Sequence, residues 1–143
     1  MADAVRRATL SASGVVPGGG NWEIWKVFDA ELVNGTASVE SLRAGAGRGF
    51  DLTQFRFFGL WVNPTSVGGT ANISVRLLQS WDDTAANYII PDTGGTVTAS
   101  ISDELPHAYS LAPVPMQFLR VRLVGVGTNP TDTVVDAYLF LQS

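Results

Sequence analysis

Cysteine is missing from this chain, lysine occurs once, at Lys26, and histidine once, at His107. Without cysteine there is no disulfide framework and no zinc-thiolate centre, so stability rests on packing and hydrogen bonding. Charge is scarce as well: 15% of the residues are Asp, Glu, Lys or Arg, where soluble domains carry about 25%. A surface this poor in charge is weakly protected against association, which points to a partner or to self-assembly. The net charge of −4 speaks against the basic stripe that phosphate neutralisation requires, so nucleic acid is not expected as a partner. No apolar run approaches the roughly 18 residues of a membrane helix, so no membrane partner is expected. No segment repeats with a helical period.

What remains is an all-β pattern. A chain of 143 residues suits a single domain with one core. NWEIWKVFDAEL, residues 21–32, is aromatic and β-branched; Asn34-Gly35 behind it is a strong hairpin signal, with TASVESL as the return strand. QFRFFGLWVN, residues 54–63, predicts a strand in which Trp61 shares a face with Phe55 and Phe57 and belongs to the core. Ile73, Val75 and Leu77 alternate with Asn72, Ser74 and Arg76, and Leu119, Val121 and Leu123 with Arg120 and Arg122, as half-buried strands do. Short strands are expected around Tyr88 to Ile90 and in GGTVTASIS. The prolines of ELPHAYSLAPVPMQ restrict that stretch to an edge strand, whereas TDTVVDAYLFLQS, apolar on both faces, predicts a central one. About eight short strands with polar turns make an antiparallel β-sandwich or jelly roll, a single domain over residues 21–143.

The first twenty residues, MADAVRRATLSASGVVPGGG, carry no core pattern. Arg6-Arg7 is followed by a stretch too polar and glycine-rich for the apolar region of an export signal. Residues 1–20 therefore read as an extended N-terminal arm, ordered by contact with another chain, for example as a strand added to a neighbour's sheet edge. The candidate assembly contacts are Arg6, Arg7 and Leu10 in the arm, Trp22 and Trp25 at its root, and Arg120 and Arg122 on one sheet face.

No constellation announces a reaction. His107 lies in the proline-rich connection without a nucleophile-elbow motif, and reads as a surface loop residue. Asp82, Asp83, Asn87 and Asp92 supply oxygens of the kind calcium takes, but Asp is also a default turn residue, and the turn reading is preferred. Gly45-Ala46-Gly47-Arg48-Gly49 precedes a strand instead of opening a helix, so it reads as a connection and not as a phosphate loop. Trp81, beside two aspartates, is expected to be partly exposed.

Ser80-Trp81-Asp82-Asp83 with Tyr88 behind it, Phe118-Leu119-Arg120-Val121-Arg122 and Gly125-Val126-Gly127-Thr128 stand within the succession DLTQFRFFGLWVN, GGTANISVRLLQSWDDTAANYIIP and PMQFLRVRLVGVGTNPTDTVVDAYLFL. In this succession, over roughly residues 50–141, the chain resembles small β-sandwich structural proteins of tailed-bacteriophage virions, most of all capsid decoration or cement proteins. The resemblance implies a non-enzymatic virion component on the capsid surface, made in the host cytoplasm, with no catalytic, cofactor or metal site. Its implied partners are the major capsid protein and further copies of itself, as a trimer. A tail, neck or fibre component fits the same resemblance. A carbohydrate-binding sandwich is the rival reading, with a glycan site at Trp81, Asp82, Asp83 and Tyr88.

Overall fold

The computed structural model describes residues 4–42, 49–84, 87–88, 99–111 and 117–143. Among them run eleven strands: β1 (Ala4–Arg7), β2 (Thr9–Val15), β3 (Asn21–Leu32), β4 (Ser38–Leu42), β5 (Phe50–Asp51), β6 (Phe57–Thr65), β7 (Ile73–Ser80), β8 (Ala99–Ile101), β9 (His107–Leu111), β10 (Phe118–Gly125) and β11 (Val134–Gln142). One sheet has the order β1-β4-β10-β7-β8, with β5 also on β10; the other has β2-β3-β11-β6-β9. All pairs are antiparallel except β1 with β4.

The expected sandwich is present, and its topology is specific. Four strands, β3-β11-β6-β9, face four others, β4-β10-β7-β8, and every connection among these eight crosses between sheets except β7 to β8. That interleaving is a jelly roll. The core lies between the sheets, where alternate residues of the long strands meet: Leu119, Val121 and Leu123 of β10, Ile73 and Val75 of β7, Leu60 and Val62 of β6, and Ala137, Leu139 and Leu141 of β11. β11 is central, as its apolar run predicts, and β9 is an edge strand, as its prolines predict. The strands expected around Tyr88 to Ile90 and at the start of GGTVTASIS fall largely outside the described residues.

Two local readings change. Asn34-Gly35 does form a tight turn, with Ala37 N–H donating to Asn34 O at 3.0 Å and Gly35 at φ 59°. It closes no hairpin, however, because β3 and β4 lie in opposite sheets and the turn carries the chain across the sandwich. The second change concerns the arm. Its described residues from Ala4 on are extended, and they pair within the chain, β1 with β4 and β2 with β3. Ala8, buried, marks the point where the chain passes from one sheet to the other. The glycine run is the reason a strand can follow so soon: Gly18, Gly19 and Gly20 have φ of 89°, 109° and 94°. Side-chain-bearing residues rarely tolerate such angles, and three in succession reverse the chain into the β2–β3 hairpin. Both N-terminal strands are sheet edges.

Candidate interaction surfaces

The outward face of the β2-β3-β11-β6-β9 sheet carries a cluster of aromatic side chains. Because Leu139 and Leu141 point into the core, Tyr138, Phe140 and Gln142 point out, and the strand register fixes their neighbours. Gln142 stands between Trp22 and Phe57, Phe140 between Ile24 and Gly59, and Tyr138 between Lys26 and Trp61. Phe57 is 63% exposed and Phe140 40%. Trp22, Ile24, Phe57 and Phe140 line a groove of about 330 Å³. Trp61 packs on Tyr138 with ring centroids 5.6 Å apart, and the Lys26 ammonium lies 5.6 Å from the Tyr138 ring on the other side. Lys26 also pairs with Asp29 at 2.8 Å, an exposed contact whose hydrogen bond raises the lysine pKa.

This arrangement corrects the expected core. Trp61 and Phe57 were assigned inward by alternation, but the inward residues of β6 are Phe58, Leu60, Val62 and Pro64. Alternation separates two faces without saying which is buried; Asn63 and Gly59, on the parity of Phe57 and Trp61, are the signal that this side faces out. Among the proposed contacts, Trp22 belongs to this outer face, with its indole over Gly14 across the hairpin. Leu10 is half exposed on edge strand β2. Trp25, half-buried, packs edge-on against Phe50 at 5.6 Å, at the margin of the core. Arg6 and Arg7 lie in β1, in register with Ser41 and Leu42.

The other sheet's outer face carries an ion-pair cluster centred on Glu40. Arg120, 5% exposed, donates from Nη1 to Glu40 Oε2 at 3.1 Å. Arg122 donates from Nε to Glu40 Oε1 at 2.8 Å and from Nη2 to the same oxygen. Both arginines are thus ion-paired within the sheet, the Arg120 side chain buried and the Arg122 side chain 25% exposed. Tyr88, 8% exposed, lies over the Arg120 guanidinium at 4.1 Å from the ring centroid.

The loop after β7 holds that tyrosine in place. Asp83 Oδ1 accepts from Tyr88 Oη and from Gly49 N–H, both at 2.7 Å. Asp82 accepts from Asn87 Nδ2 at 3.0 Å and from Thr84 N–H at 3.0 Å, bonds that hold its carboxyl below the usual carboxylate range, the Asn87 amide most of all. Both Asp82 oxygens and Asp83 Oδ1 are thus engaged within the loop, and Tyr88 is buried. Trp81 alone of that set is open, at 69% exposure. Asp92 and most of the glycine loop, residues 45–48, lie outside the described residues.

Burial, and then the bond to Asp83, push the Tyr88 phenol well above 10.0. A raised pKa means that this contribution to stability is complete below the unfolded value and is lost as pH rises past it. Tyr88→Phe is expected to cost about 1 kcal/mol at neutral pH. Chemical denaturation between pH 7 and pH 11 should then show the wild-type advantage shrinking above about pH 10.

His107 sits on β9, its Nε2 2.7 Å from Asp103 Oδ1 and its ring stacked on Tyr109. The histidine contact is the main cause of the lowered Asp103 pKa. Among the described residues no group of three or more His, Cys, Asp or Glu is placed to hold a metal ion. The chain matches no protein-family model and no curated protein.

Proposed function

We propose that this chain is a non-enzymatic structural protein that works by assembly, associating with copies of itself through the outer face of the β2-β3-β11-β6-β9 sheet. The observation that carries the reading is the continuous row of Trp22, Ile24, Phe57, Phe140, Tyr138 and Trp61 on that face. Exposed aromatic clusters of this kind are the usual centres of protein interfaces. A second copy is the occupant favoured, because the cation at the end of the patch is already paired within the chain, Lys26 with Asp29 and Asp136, and the face offers no unpaired charge there to select an oppositely charged partner.

The more specific form of the proposal is the one the sequence resemblance implies: a homotrimer that decorates a phage capsid and stabilises it by binding the assembled shell. The jelly roll is compatible with that role, since viral capsid domains use the fold, though lectin domains use it too. A glycan site at Trp81 has less support, because Asp82 and Asp83 Oδ1 are bonded within the loop and Tyr88 is buried.

The test is native mass by light scattering after size exclusion, for the wild type and for Phe57→Asp and Phe140→Asp. The wild type is expected to run as a discrete oligomer, three chains by the proposal. Each aromatic at the centre of such a contact contributes about 2 kcal/mol or more, roughly thirtyfold in affinity, so either variant should shift toward the single chain while keeping its fold. A wild type that stays a single chain at high concentration would overturn self-association. Co-sedimentation with phage head shells checks the capsid assignment separately.

A further inference from the structure

The outer face of the β1-β4-β10-β7-β8 sheet holds more guanidinium donors than Glu40 takes up. Arg76 of β7 stands directly opposite Arg122 of β10, with Arg120 diagonal to it on the same face. Like charges directly opposite on a sheet repel, so this pairing is unfavourable unless something negative lies between them. The donors of Arg120 divide unevenly. Nη1 is bonded to Glu40, while Nε and Nη2 are both buried and have no hydrogen-bond partner. Nε–H and Nη2–H form one parallel fork, the edge that grips two oxygens of an anion side by side. Arg122 presents its corresponding edge to Glu40. Arg76 Nε is likewise buried and unpaired.

Leaving a guanidinium edge desolvated and unbonded is costly, far more so than leaving a neutral donor unbonded. Tyr88 over the Arg120 plane fixes the guanidinium orientation without offering it an acceptor. We propose that this face binds a compact tetrahedral oxyanion, of the phosphate or sulfate class, held bidentate by Arg120 Nε–H and Nη2–H and from a third direction by Arg76 Nε–H. Diagonal positions on a sheet are about 7–8 Å apart, a span that two long side chains can close on one small ion. An ion with more than two oxygens can take all three donors at once, which a carboxylate cannot. The site is on the opposite sheet from the proposed assembly face, so the two ideas stand or fall separately.

The experiment is calorimetric titration and thermal melting of the full chain with sodium phosphate, sulfate or acetate, each against chloride at matched ionic strength. Phosphate or sulfate is expected to bind saturably and to raise the melting temperature, with acetate at least tenfold weaker. Arg76→Gln, at a half-exposed position, should weaken phosphate binding at least tenfold. Arg120→Lys, which keeps the charge and loses the fork, should abolish it. If Arg120→Lys does not fold, Arg76→Gln decides alone. Absence of a saturable, ion-specific response in the wild type overturns the proposal. So does an unchanged affinity in Arg76→Gln, or acetate binding as tightly as phosphate.

Discussion

Asn129→Ala is expected to destabilise the protein by about 3–5 kcal/mol, a large loss for one small polar side chain. Asn129 is buried where three loops meet, and every bonding capacity of its amide is used. Its Nδ2 donates to Val33 O at 2.8 Å and to Gly35 O at 2.7 Å. Its Oδ1 accepts from Asn72 N–H and from the Thr133 hydroxyl, both at 2.9 Å. One side chain thereby ties the β3–β4 crossing and the segment before β7 to the β10–β11 connection. Alanine leaves two backbone carbonyls and a backbone N–H without partners in a space too tight to rearrange, since Gly125 packs against Gly35 so closely that even a methyl group there would meet its carbonyl. Each orphaned buried group costs about 1–3 kcal/mol, and the losses overlap because the groups share one site. Asn129→Asp separates this account from simple loss of volume. The carboxylate keeps the two acceptor contacts but faces two carbonyls, so it should be at least as damaging as alanine. Urea denaturation of the three proteins at neutral pH checks both expectations, and a loss below about 1 kcal/mol for alanine would refute the hub.

That hub shows why part of the architecture was legible in the sequence and part was not. Alternation in β10 and β7 places Leu119, Val121, Leu123, Ile73 and Val75 in the core, because a half-buried strand has no other way to sort its side chains. The apolar run of β11 and the prolines near β9 likewise announce a centre and an edge. Local signals fail where partners are distant. Asn34-Gly35 dictates a turn but not whether the chain returns to the same sheet, and that choice is made by Asn129, 94 or more residues away. In the same way, Gly18 to Gly20 look like a linker until β2 is seen to pair with β3, which turns positive φ into a hairpin. Alternation in β6 separates two faces, and the aromatics Phe57 and Trp61 point to the wrong one as core. Both residues belong to the row on which the assembly reading rests.

Glu40→Ala is the second substitution with a large expected effect, about 3–5 kcal/mol, and it tests what holds the other sheet's outer face. The Glu40 carboxylate is shared by two guanidiniums, from Arg120 and Arg122, and the Glu40 and Arg120 side chains are 7% and 6% exposed. Two arginines on one strand, spaced two residues apart, point to the same face, so a single acid on the neighbouring strand β4 can bridge them only in the observed register, with Arg122 opposite Glu40. Removing the carboxylate strips both cations of that partner in a region with little water to replace it. Attraction alone is not the whole effect, because bringing three charges out of water has its own cost. Replacing all three at once, Glu40→Leu with Arg120→Leu and Arg122→Met, is therefore expected to recover most of the loss and to lie within about 2 kcal/mol of the wild type. Denaturation midpoints for the single and triple variants, with and without 0.5 M salt (about 4 Å of screening length), give the comparison. A triple variant as unstable as Glu40→Ala would mean that the ion pairs stabilise the sheet outright. Recovery would mean that they serve to fix the register of β4 on β10, at the seam where β1 adds its parallel edge.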